Sequence, residues 1–144
     1  MKLHQLSLFL ENKPGHLLSA CRTLADAGIN VETMALADTE QFGILRILVK
    51  DWQKAKEVLE KKGTVVKETA VIAVKVPDKP GGLANLLTCF ESTSVNIEYM
   101  YGFNSRAVEA AIIVLRMNNP DEALELLQKN NIHIVDKNEL FGTP

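Results

Sequence analysis

The sequence predicts an α+β chain of two tandem β-α-β-β-α-β modules, each an antiparallel sheet carrying its helices on one face. Three repeated motifs predict it. Asn12-Lys13-Pro14-Gly15-His16-Leu17 returns 66 residues later as Asp78-Lys79-Pro80-Gly81-Gly82-Leu83. Ile29-Asn30-Val31-Glu32 returns at the same spacing as Val95-Asn96-Ile97-Glu98, and Ala55 and Leu59 return 68 residues on as Ala123 and Leu127. Repetition at a fixed period marks duplicated structural units. The 144 residues therefore divide into modules at 1–69 and 70–144.

Each element follows from local chemistry. Lys2 to Leu10 and Val71 to Val76 have the alternating or continuous apolar character of strands. Pro14-Gly15 and Pro80-Gly81 then start a helix, with proline expected in the first turn. Leu17, Cys21, Leu24 and Ala25 form one apolar stripe at helical spacing, and Leu83, Leu86, Leu87 and Phe90 form its counterpart. Gly28 caps the end of the first helix, whereas Ser94 stands in its place in the second module. Two strands follow, Ile29 to Ala37 and Phe42 to Val49, repeated as Val95 to Phe103 and Val108 to Met117. The next helix is capped by Asp51, or by Asn119 with Pro120 behind it, and ends near Gly63 or Asn131. Thr64 to Lys67 and Ile132 to Val135 close the modules. The pattern is ferredoxin-like.

Two expectations concern assembly. Val71 to Val74 and Ala110 to Leu115 are apolar on both faces, so a surface beyond the helices needs cover, and a homo-oligomer, with a dimer favoured, would supply it. Glu68-Thr69-Ala70, read as a linker, spans about 10 Å and holds the modules close.

Composition excludes several functions. A net charge of −2 with 6 % aromatic residues does not suit a nucleic-acid surface. No apolar stretch approaches a membrane span, and the N-terminus has no signal-peptide cleavage site. Cys21 and Cys89 lie far apart among apolar residues, which predicts buried, reduced thiols and a cytoplasmic protein. His4, His16 and His133 show no metal-ligand spacing, and no nucleophile–base set stands out, so neither a cofactor nor catalysis is expected.

The strand-to-helix turns carry the most chemistry. A Pro-Gly turn leaves unpaired amides at the positive end of a helix, a place that holds a carboxylate. Asn12 or Asp78 beside it can meet an ammonium group, or simply favour the turn. Asn30 and Asn96 offer donor and acceptor together, or cap the neighbouring strand and helix. Tyr99, Tyr101 and Phe103 line either a pocket or an interface, and Trp52 reads as a packing residue.

Each half resembles an ACT domain, the small ligand-binding module of amino-acid-regulated proteins. The resemblance rests on Asn12 to Leu17 with Gly28 to Val31, and on Asp78 to Leu83 with Val95 to Ile97; it runs from Leu3 to about Val135, leaving Asp136 to Pro144 as a tail. It implies that an amino acid binds between the first turn of one domain and the second strand of its neighbour. Asn12, Pro14 and the Gly15, His16 and Leu17 amides would face Asn96; Asp78, Pro80 and the Gly81, Gly82 and Leu83 amides would face Asn30. Ser94 and Asn12 depart from the residues usual there, so the two sites need not be equal. Other ACT arrangements pair domains between chains.

The expected function is a non-catalytic amino-acid sensor, reporting to a separate enzyme or regulator or through its own assembly. The alternative is a structural or regulatory subunit with vestigial sites. Ferredoxin-like modules also serve acylphosphatases and metal carriers. The turns here lack the arginine and the paired cysteines those need.

Overall fold

The computed structural model describes residues 1–38, 41–104 and 110–142. The elements are β1 (Leu3–Glu11), α1 (His16–Asp26), β2 (Val31–Asp38), β3 (Phe42–Val49), α2 (Trp52–Lys61), β4 (Val65–Val76), α3 (Gly82–Leu87), β5 (Ile97–Asn104), β6 (Ala111–Met117), α4 (Pro120–Lys129), β7 (Ile134–Val135) and α5 (Lys137–Phe141), with a 3-10 turn at Thr88–Phe90. One compact unit is His4–Thr69; the other is Met1–Leu3 with Ala70–Pro144.

In the first unit the strands run in the order β2-β3-β1-β4. Leu6 pairs with Ile47 and Leu8 with Leu45 across an antiparallel ladder, and Met34 pairs with Ile47 from the other side. Alternation puts Leu6, Leu8 and Leu10 on one face, where they pack with Leu45, Ile47 and Val49 beneath Ala20 and Leu24 of α1 and Ala55 and Leu59 of α2. The second unit repeats the plan. β6 lies between β4 and β5, while β7 joins β4. Ile72, Val74, Val76, Leu115 and Met117 pack against Leu86, Phe90, Ala123 and Leu127.

Helix ends follow the expected chemistry. Asp51 accepts from the Lys54 amide at 3.2 Å, and Asn119 accepts from the Glu122 amide at 3.2 Å with Pro120 opening α4. After α1, Gly28 donates to Ala25 O and Ile29 to Leu24 O, both at 2.9 Å, which satisfies two terminal carbonyls.

The structure corrects several expectations. Glu68, Thr69 and Ala70 are not a linker: they lie inside β4, one strand where the sequence suggests two. The polar side chains of Glu68 and Thr69 interrupt the apolar pattern, and the strand continues through them. Pro14 and Pro80 stand one residue ahead of the N-caps Gly15 and Gly81, outside the first helical turn. The buried residues of α1 are Ala20 and Leu24, so Leu17, Cys21 and Ala25 face outward and Cys21 is exposed. Cys89 is buried, and burial raises its thiol pKa. In α3, Leu86 is buried, whereas Leu83 and Leu87 stay exposed. The tail folds: Asp136 accepts from the Glu139 amide at 2.8 Å, starting α5 and burying Leu140. Val71, Ala73, Ile112 and Val114 are buried in the single chain, so they do not themselves require a second copy. The expected strand start at Val108 lies outside the described residues.

Candidate functional site

The two Pro-Gly turns repeat bond for bond. In the first, the Lys13 amide donates to Glu11 O at 2.8 Å, His16 to Lys13 O at 3.3 Å and Ser19 to Gly15 O at 2.9 Å. In the second, Lys79 donates to Pro77 O at 2.9 Å, Gly82 to Lys79 O at 3.0 Å and Asn85 to Gly81 O at 2.9 Å. Gly15 at φ 88° and Gly81 at φ 85° turn the chain through the left-handed region, which a side chain makes costly. Neither helix has a side-chain cap.

The internal bonds decide which amides remain available. His16 and Gly82, both expected to offer theirs outward, use them within the turn. Among the described residues, no hydrogen bond engages the Gly15, Leu17 or Leu18 amides, nor those of Gly81, Leu83 and Ala84. Three donors at each turn are thus free to meet an anion at the positive end of a helix.

The turns differ in their side chains. Glu11 and Lys13 form an ion pair at 2.9 Å. Hydrogen bonding to Lys13 and its charge hold the Glu11 carboxyl below the usual carboxylate range, and the same pair raises Lys13. His16 is exposed, whereas Gly82 is buried, and a Cβ there would lie 2.3 Å from Pro77 O. Asn12 and Asp78 are exposed, and Asn12 is anchored through its amide to Gln41 O at 3.0 Å.

Asn30 and Asn96 are exposed and immediately precede β2 and β5 rather than lying second in those strands. Just beyond each, the ladder has a bulge: between Val31 and Thr33 in one unit, between Ile97 and Tyr99 in the other. Bulges re-aim neighbouring side chains and gather beside binding sites. Asn118 fixes the Asn96 backbone: its Oδ1 accepts from the Asn96 amide at 2.8 Å, its amide donates to Asn96 O at 3.1 Å, and its Nδ2 donates to Ser94 O at 3.1 Å. The first unit reaches a related end differently. Lys54 Nζ donates to Ala27 O at 2.9 Å, tying α2 to the segment before Asn30. Sequence reasoning does not single out Asn118; the Asn118-Asn119 pair ahead of Pro120 is its one signal. Tyr99, Tyr101 and Phe103 are half-buried along β5.

Residues 1–143 match the model of the family described as the ACT domain pair. The chain belongs to that family. A protein of Bacteroides thetaiotaomicron, known from its crystal structure, is 35 % identical, with a TM-score of 0.91 and 99 % of this chain and 98 % of that one covered. The ACT domain pair also shares its fold with the ligand-free regulatory subunit of aspartate kinase from Thermus thermophilus. That match has 22 % identity, a TM-score of 0.63 and coverage of 88 % and 91 %. The corresponding subunit from Thermus flavus gives 22 % identity, a TM-score of 0.61 and coverage of 88 % and 90 %. A comparison with curated proteins returns no match. Among the described residues, no group of His, Cys, Asp or Glu has the arrangement to hold a metal ion, and no helix is long and apolar enough to cross a membrane.

Proposed function

We propose that this ACT domain pair is a non-catalytic regulatory protein that binds a free amino acid at its Pro-Gly turns, with a strand-leading asparagine completing each site. The observation that carries this reading is the twice-repeated turn with its unengaged amides. A carboxylate fits the Gly15, Leu17 and Leu18 amides or the Gly81, Leu83 and Ala84 amides. The ammonium group goes to Asn12 or Asp78, and the side-chain amides of Asn96 and Asn30 complete recognition of the zwitterion. Asp78 carries a formal charge where Asn12 does not, so the Asp78 site is the tighter of the two.

The likeness to a regulatory subunit of aspartate kinase supports output to a separate enzyme or regulator. Repeated exposed apolar positions, Leu17 with Leu83 and Met34 with Met100, support a homo-oligomer. The free thiols of Cys21 and Cys89 agree with action in the cytoplasm.

Isothermal titration of the intact chain with each proteinogenic amino acid tests the proposal. One or a few bind, and Asp78→Ala combined with Asn30→Ala lowers affinity by about tenfold or more, the loss of a charge-assisted contact. Binding that survives both substitutions overturns the bipartite site. No binding at millimolar concentration leaves the reading of a regulatory subunit with vestigial sites.

A further inference from the structure

The first unit holds a half-open groove of about 440 Å³ that the proposed amino-acid site does not use. Its volume is within the range of small-molecule sites, roughly 300–1,000 Å³. It lies where β1 and β3 meet the start of α1 and the end of α2, and its lining separates by chemistry. Glu11 pairs with Phe42 across the ladder, so by alternation Phe9, Glu11 and Phe42 stand on the sheet face away from the helices. Val65 joins that face, because its neighbour Val66 packs into the helix-side core. Phe9, Phe42 and Val65 are 39 %, 50 % and 66 % exposed, an apolar patch on one lip. His16, Ser19, Lys62 and Thr64 supply the other lip with polar groups.

The charges are uneven. Glu11, the acidic residue of the lining, is paired with Lys13 at 2.9 Å. Among the described residues, no acid pairs with the Lys62 ammonium. The groove thus has a cation for an anionic group and no unpaired carboxylate for an ammonium group. The duplicated module replaces these positions: Gly82 stands for His16, Asn130 for Lys62 and Ile132 for Thr64. The features belong to one copy and are not required by the fold.

We propose that this groove binds a small apolar carboxylate without an amino group, of the 2-oxo-acid class. The carboxylate meets Lys62 and His16, the oxo group accepts from Ser19 or Thr64, and the apolar body lies over Phe9, Phe42 and Val65. The groove borders the first Pro-Gly turn through His16, but Lys62 and the apolar lip of Phe9, Phe42 and Val65 lie outside the amino-acid site, so substitutions there tell the two apart.

Amide chemical-shift titration of the full chain with phenylpyruvate tests the assignment, with phenethylamine as the cationic control. Phenylpyruvate shifts the amides of Ser19, Gly63 and Thr64 with saturation, and phenethylamine leaves them in place. Lys62→Glu and Phe42→Ser, both at exposed positions, each weaken phenylpyruvate about tenfold or more. Asn30→Ala with Asn96→Ala, at the other proposed site, leaves that affinity unchanged. Absence of saturable shifts, shifts centred away from the groove, equal binding of phenethylamine, or indifference to Lys62→Glu would each overturn the proposal.

Discussion

Gly15 and Gly82 occupy adjacent positions of equivalent turns, one in each module, yet they are glycine for different reasons. At Gly15 nothing lies within 4 Å of an added Cβ, so the constraint is the backbone angle alone. Gly15→Ala should cost about 1–2 kcal/mol, the penalty for an L side chain in the left-handed region. Gly82 is constrained by the Pro77 carbonyl oxygen, 2.3 Å from where an added methyl would sit, and backbone must move to relieve it. Gly82→Ala should cost more, about 3 kcal/mol, the upper part of the overpacking range. Urea denaturation of both variants checks the order; equal losses would refute the distinction. Glu11 allows a second test at this scale. Its folded pKa is depressed chiefly by Lys13, so the pair's contribution is present above the ordinary carboxylate range and is lost as pH falls through the lowered value. Lys13→Ala should move the Glu11 carboxyl titration, followed by carbon NMR, upward; an unmoved midpoint would show that Lys13 is not the cause.

Elements show what the sequence makes legible. Both turns, both strand-leading asparagines and the N-caps Asp51 and Asn119 are readable because each is a local signal of a few residues. Four features are not. β4 runs through Glu68, Thr69 and Ala70 because strand pairing is a tertiary interaction that two polar residues do not prevent. Cys21 faces outward because a helix with Leu at 17, 18 and 24 admits more than one apolar stripe, and packing selects Ala20 and Leu24. The free amides of the turns are legible as a group, but which ones remain free depends on the bonds made by His16 and Gly82. Asn118 is the clearest omission: its three bonds across 22 to 24 residues leave no periodic trace. Asn118→Ala should cost about 1–2 kcal/mol, since two of these bonds exist only with its side chain. Hydrogen exchange should then show the Asn96 amide losing protection while the Ile29 amide of the first unit, bonded to Leu24 O, keeps its own. Unchanged exchange at Asn96 would remove Asn118 from the site's support.

At the scale of the molecule, duplication leaves both modules with exposed apolar side chains at matching positions. Met34 on β2 and Met100 on β5 are 58 % and 41 % exposed. Each stands on the helix side of its sheet, since Met34 pairs with Ile47 and Met100 with Leu115, both core residues. In the proposed homo-oligomer a partner surface covers both and removes their apolar area from water. A ligand regulates through such a surface only by binding one assembly more tightly than another, and the size of the switch equals that difference in affinity. Met34→Lys with Met100→Lys should therefore lower the assembly state seen by sedimentation equilibrium without unfolding the modules, because both side chains are already solvent-exposed. The same variant should respond less steeply to added amino acid, its assembly no longer coupled to occupancy. If sedimentation is unchanged by the double substitution, these faces are not the assembly surface. If assembly is lost but the ligand response is retained in full, the output travels by a different route.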